Sequence, residues 1–353
     1  MKSARGFRRL FLLAFAGSVS AALLAFLVLP ERISVRILGV AASEAAPARP
    51  GNAGRGAMGD YTGRTMLGVF LDGDSMALLF EFERHIGRQV DGLLAYAHDD
   101  RWSNMGPQSH LTSPLGRSGR GLLWSMPHYT SKDGKRGGLA DMREVAAGKR
   151  NAEFRRWAQE ILAHGRPASD GNYYVRTTWE LPGEWFQWTE SIVADPEAYK
   201  RSFCQYARSL RSVSERFKMV WDFNSDRGPV ERYYPGDDCV DVISQDIYWD
   251  PELQGRDPMA AWRKHLHGYG RGLAWMADFA AKRGKPMAIS EFGVNQSVPG
   301  AAIWLEQFNK WVQGHNVAYV TYWYAHQESA FAGYFSSPKI GSVMRKYYGQ
   351  KKW

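Results

Sequence analysis

Cysteine is scarce in this chain: only Cys204 and Cys239 occur in 353 residues. Two thiols exclude a thiolate metal cluster and a scaffold held mainly by disulfides. A glycine-rich phosphate loop is also missing. The first apolar run, Met66–Leu71, leads into Asp72-Gly-Asp-Ser75, which counts against a doubly wound open sheet built for nucleotides. Nor does any block of Lys and Arg resemble a track for phosphates. The formal charge of +9 is concentrated at the start, where the first 60 residues hold eight Lys or Arg against Glu31, Glu44 and Asp60. The basic balance is thus largely a property of the leader, and no nucleic-acid partner is expected.

One long uncharged run exists. Leu10 to Leu29 follows Lys2, Arg5, Arg8 and Arg9, so residues 1–30 read as a signal or signal-anchor segment. At 20 residues the run matches a membrane-spanning helix better than a cleaved leader, and the preceding cations place the rest of the chain across the membrane. Residues 31–61, rich in Ala, Pro, Gly and Arg, read as a flexible linker. The folded part is expected over residues 62–353, exported to the periplasmic face of the inner membrane or secreted.

Aromatic residues are abundant, at 14%, either in the core or in a groove where rings stack on sugar faces. Eight strand-like runs follow: Met66–Leu71, Val90–Tyr96, Gly121–Met126, the stretch from Tyr173, Lys218–Asp222, Asp241–Ile247, Pro286–Ser290 and Val317–Trp323. Between several of them lie amphipathic helices. Tyr199, Phe203, Tyr206, Leu210 and Val213 share one face behind the cap signal Asp195-Pro196, and a single long helix is expected over 259–283. Strands alternating with helices over this length predict a single (β/α)8 barrel. In that fold Cys204, early in a helix, and Cys239, just before a strand, fall at opposite ends, so they are not expected to pair. Trp124 is assigned to the barrel interior.

Two carboxylates stand out. Glu180 ends the fourth strand and is followed by Pro182-Gly183 and an aromatic loop with Trp185, Phe186 and Trp188; Glu291 ends the seventh and is followed by Gly293. The carboxyl ends of all barrel strands open on one face, so the two converge although far apart in sequence. Paired carboxyl groups of this kind perform glycoside hydrolysis, one protonating the leaving oxygen while the other attacks the anomeric carbon. The aromatic surroundings of Glu180 favour its protonated form. Other groups facing the bowl are Asn224, His98 and His128, with Trp185 and Trp188 leaning towards sugar platforms. Glu184 and Glu190 read as solvated surface residues, and Asp222-Phe-Asn-Ser-Asp226 departs from a calcium loop at Gly228 and Tyr233.

These residues resemble glycoside hydrolase family 26, a β-mannanase-like family of the large barrel clan. The resemblance rests on Arg176-Thr-Thr-Trp-Glu-Leu-Pro-Gly-Glu-Trp-Phe-Gln-Trp188, Val240-Asp-Val-Ile-Ser-Gln-Asp-Ile-Tyr248 and Met287-Ala-Ile-Ser-Glu-Phe-Gly293. It implies Glu180 as acid/base and Glu291 as nucleophile. Tyr248 would position the nucleophile, Trp323 would lie under the sugar, and Arg176, Trp179, Trp185 and Asn224 would complete the substrate site. No cofactor or metal is implied. Trp179 stands where many members have His, and Pro182 where they have Asn, departures that bear on sugar specificity. The expected activity is retaining cleavage of β-linked polysaccharide, β-mannan or an exopolysaccharide. The alternative is a barrel that binds carbohydrate without turnover, during polysaccharide export or assembly.

Overall fold

The computed structural model describes residues 65–73, 75–130, 138–225, 228–325 and 337–349. The leader, the linker and Asp226 of the calcium-like loop lie outside them. Among the described residues no helix is long and apolar enough to cross a membrane.

Eight parallel strands close into a barrel in sequence order. They are β1 (Met66–Leu71), β2 (Gly92–Tyr96), β3 (Leu122–Ser125), β4 (Tyr173–Leu181), β5 (Phe217–Phe223), β6 (Val242–Trp249), β7 (Met287–Val294) and β8 (Val317–Tyr324). β8 pairs with β1 from Met66↔Tyr319 to Leu71↔Tyr324, closing the ring. The expected (β/α)8 barrel is therefore the fold.

Local signals set the outer helices. Asp195 accepts from the Ala198 N–H, and Pro196 opens the helix Pro196–Arg211, where the missing proline N–H would have had no helical partner. Asp257 and Pro258 repeat the arrangement for Pro258–His267. The long helix expected over 259–283 is instead two, Pro258–His267 and Leu273–Ala281. Gly268, Gly270 and Gly272 interrupt it, with Gly270 at φ +75°, a conformation no helix accommodates.

Most of the apolar core lies between strands and helices. Trp124 belongs to this outer layer rather than the barrel interior, because strand alternation turns its neighbours Leu123 and Ser125 inward. The interior is filled in layers. Met66, Leu94, Leu123, Tyr174, Val220, Val242, Ala288 and Tyr319 make an apolar base. Gly68 is required beside it, since a Cβ there would meet Leu123 Cδ1 at 2.7 Å and Thr321 Oγ1 at 2.9 Å. Above the base the lining turns polar: Ser244 and Ser290 hydroxyls are 2.7 Å apart, Ser290 lies 3.0 Å from Tyr319 Oη, and Arg176 Nε donates to Ser125 Oγ at 3.0 Å.

Cys204 and Cys239 form a disulfide, with Cα atoms 5.1 Å apart, so the expectation that they stay apart was wrong. It placed Cys204 near the start of its helix, whereas the residue lies past the middle of Pro196–Arg211. Among the described residues no long helix follows β5 before β6, and the short 3-10 turn Val230–Tyr233 packs back against Pro196–Arg211. Arg211 anchors that return by donating to the Asp238 and Cys239 carbonyls.

Candidate active site

β4 and β7 both leave regular pairing just where their glutamates are presented. In β7, Ile289 pairs with Gln245 but Glu291 with Asp246, which leaves Ser290 as an extra residue. Strict alternation from Ala288 and Ser290 would turn Glu291 outward; the bulge returns it to the interior. In β4 the break falls between Thr177 and Leu181, and Thr178 and Glu180 take φ values of +46° and +53°. Such values are uncommon for non-glycine residues and cluster at functional sites.

The two glutamates meet. One carboxylate oxygen from each of Glu180, Asp246 and Glu291 lies within 4.8 Å of the others. Glu180 is 5% exposed and Glu291 4%. Burial, reinforced by the charges of Glu291 and then Asp222, raises the Glu180 pKa to about 8, although Trp185 Nε1 donates to its Oε2 at 2.5 Å. Glu291 is held differently. Arg176 Nη2 reaches its Oε1 at 2.5 Å, the Tyr96 hydroxyl donates to the same oxygen, and Tyr248 Oη donates to Oε2 at 2.7 Å. One carboxyl group is thus surrounded by aromatic bulk and like charge, while its neighbour faces a cation and two phenols.

Arg176 organises the cluster. Only 1% exposed, it contacts Asp246 through Nη1 at 2.7 and 2.9 Å, Ser125 through Nε and the Tyr96 hydroxyl through Nη2 at 2.8 Å. The three carboxylate oxygens have the spacing to hold a cation, but Arg176 already places a positive charge against Asp246 and Glu291.

Of the residues singled out from sequence, Trp185 is half-buried against Glu180, and Trp323 is half-buried at the end of β8. Trp323 stacks on Phe70 with centroids 3.9 Å apart and stands edge-on to Tyr248 at 6.3 Å. Trp179 is nearly enclosed, its ring 5.4 Å from the Arg176 guanidinium and edge-on to Trp188 and Tyr96. Trp188 is core, not platform: its indole N–H donates to the Trp179 carbonyl and its ring stacks on Phe186. Asn224 is half-buried and ties the ends of two strands together, its backbone N–H donating to Leu181 O at 2.8 Å. Glu184 and Glu190 are exposed, as expected.

His128 does not face the bowl. It is fully buried between Thr177 Oγ1 and Ser202 Oγ, at 2.8 and 2.9 Å, and stacks on Tyr206; burial lowers its pKa to about 3. His98 lines a separate cleft with Trp102, Asn104, Gln108, Glu153 and Arg156. Sequence reasoning overlooked Tyr96 and Asp246, and weighed Asp222 only as the start of a calcium-like loop. A charge inside a buried strand needs a partner, so Asp222 and Asp246 carried a readable signal; Tyr96, at the end of an apolar run, carried only its position.

Fold and site together define a (β/α)8 barrel with paired carboxyl groups in its carboxyl-terminal mouth. The sequence model described as glycosyl hydrolase family 26 matches residues 173–326, so the resemblance to that family holds from β4 through β8. Over 160 residues the chain is 28% identical to a mannan endo-1,4-beta-mannosidase of Bifidobacterium adolescentis, covering 42% of this chain; the chain spans 15% of that relative's length. Among solved structures, a family 26 β-mannanase from Bacteroides ovatus superposes with a TM-score of 0.56 at 16% identity, over 80% of this chain and 88% of that one. The catalytic domain of an endo-beta-1,4-mannanase from Bacillus sp. JAMB-750 gives 0.54 at 17% identity, over 82% and 87%. At these identities the structural likeness concerns the fold.

Proposed function

We propose that this chain is a retaining glycoside hydrolase acting on β-linked polysaccharide, with β-1,4-mannan the first choice and an exopolysaccharide the second. The observation that carries the reading is the approach of Glu180 and Glu291 to within 4.8 Å. Carboxylate oxygens that close accord with the roughly 5–5.5 Å between carboxyl groups in double displacement.

Glu291 attacks the anomeric carbon, forming an ester bond as the glycosidic C–O bond breaks, and Glu180 gives its proton to the departing oxygen. Water then attacks the same carbon, Glu180 takes a proton from it, and the ester bond to Glu291 breaks. Arg176, Tyr96 and Tyr248 hold the nucleophile in one orientation, and preorganised donors of this kind need not rearrange during the reaction. Trp323, backed by Phe70, supplies an apolar face for the sugar ring at the cleavage point. The name of the Bifidobacterium relative supports mannan as substrate.

Export is part of the proposal. The Cys204–Cys239 bridge accords with an oxidising compartment, as does the charged and then apolar leader.

The test is release of reducing ends from β-1,4-mannan, β-xylan, mixed-linkage glucan and bacterial exopolysaccharide, by wild type, Glu180→Gln and Glu291→Ala. Release by wild type, lost in both variants while they still bind the polymer, supports the hydrolase. Wild-type protein that binds glycan and releases nothing overturns it in favour of the binding barrel.

A further inference from the structure

The unusual backbone of Glu180 is held from the neighbouring strand. Thr177 pairs with Trp221 and Leu181 with Phe223, so four steps along β4 run beside two along β5. The excess is taken up by the left-handed residues Thr178 and Glu180. Asp222 lies between the two paired residues of β5, fully buried, and its Oδ1 accepts the Glu180 N–H at 2.9 Å. Its Oδ2 stands 3.7 Å from Arg176 Nη1, the nitrogen that also binds Asp246.

A neutral acceptor would satisfy one N–H. A buried carboxylate costs desolvation unless a cation answers it, and here Arg176 does. We propose that Asp222 is a positioning residue for Glu180: it fixes the backbone of the proton donor and couples it, through Arg176, to the seat of the nucleophile. This rests on the reading of Glu180 as proton donor. The charges facing the Glu180 carboxyl are Arg176 on its own strand, Asp222 on β5, Asp246 on β6 and Glu291 on β7, with the Trp185 indole beside it.

The experiment compares Asp222→Asn, which keeps an acceptor and loses the charge, with Asp222→Ala, which loses both. The carboxyl carbons of glutamate-labelled protein are titrated by NMR, with Glu180 assigned through Glu180→Gln. Initial rates are measured on 2,4-dinitrophenyl β-mannobioside, whose leaving group needs no acid, and on the 4-methylumbelliferyl analogue. In Asp222→Asn the Glu180 midpoint is expected to move down from about 8, and the pH above which the methylumbelliferyl rate declines is expected to move down with it. In Asp222→Ala the methylumbelliferyl rate is expected to fall by about 10²-fold, the scale of a misplaced general acid, with the dinitrophenyl rate little changed. Equal losses on both substrates in Asp222→Ala, or an unmoved Glu180 midpoint in Asp222→Asn, overturn the proposal. Wild type that cleaves neither substrate sinks the hydrolase reading, and the titration alone then decides the role of Asp222.

Discussion

Arg176 and Glu291 stand on strands three places apart in the barrel, and Nη2 of one meets Oε1 of the other at 2.5 Å inside it. The same guanidinium holds Asp246 at 2.7 Å. One cation therefore compensates two buried carboxylates at hydrogen-bond distance, with Asp222 farther off at 3.7 Å, in the space where the barrel lining changes from apolar to polar.

Replacing Arg176 by Met leaves both carboxylates buried without their counter-charge. Breaking a buried pair from one side costs about 3–5 kcal/mol, and a loss of at least that size is expected in urea unfolding. A change of less than about 1 kcal/mol would show that the cluster does not depend on this cation.

The raised pKa of Glu180 makes both activity and stability depend on pH. Its folded value of about 8 lies above an unfolded value of roughly 4.3, so folding favours the protonated form. The stability from this group is complete below about pH 4.3, declines as pH rises and is lost once pH passes about 8. Glu180→Gln cannot ionise, so its melting temperature relative to wild type should climb between pH 5 and pH 9. A difference that stays flat contradicts the assignment. Hydrolysis by wild type, which needs the proton, should decline through about pH 8.

Tyr248 donates to Glu291 Oε2 at 2.7 Å, a hydrogen bond to a charged group worth about 1.5–3 kcal/mol. If it aligns the nucleophile for attack, Tyr248→Phe should lower kcat by roughly 10- to 150-fold with little change in KM. A rise in KM alone would instead make the phenol a ground-state sugar contact.

The Cys204–Cys239 bridge closes a loop with a sequence separation of 35, for which chain entropy predicts about 3–4 kcal/mol of stabilisation. Cys204→Ser combined with Cys239→Ser should lower stability by up to that amount, and dithiothreitol should shift wild type but not the double variant. Equal responses of both proteins to the reductant would mean that the bridge does not form in solution.

Local chemistry left clear traces in the chain. The eight apolar runs are the eight strands, and Asp195-Pro196 opens a helix as its capping chemistry requires. Glu180 and Glu291 were recognisable because each is a charge following a short buried run. The failures have a common character. Trp124 was placed on the wrong side of its strand, Trp188 was given to the bowl although it is core, and the two cysteines were kept apart. Each depends on which way a side chain turns or where a loop returns, and those are settled by neighbours distant in sequence.

By itself, then, the sequence determined the strand order and that Glu180 and Glu291 lie on the fourth and seventh strands, because propensity, capping and periodicity act within a few residues. The tertiary structure alone decided that Ser290 is an extra residue turning Glu291 inward, that Asp222 answers the Glu180 N–H, and that Tyr96, Arg176 and Asp246 crowd around one carboxylate. Barrel closure brings strands from opposite ends of the chain into register, and only in that enclosed, poorly solvated space must every buried charge and N–H find a partner.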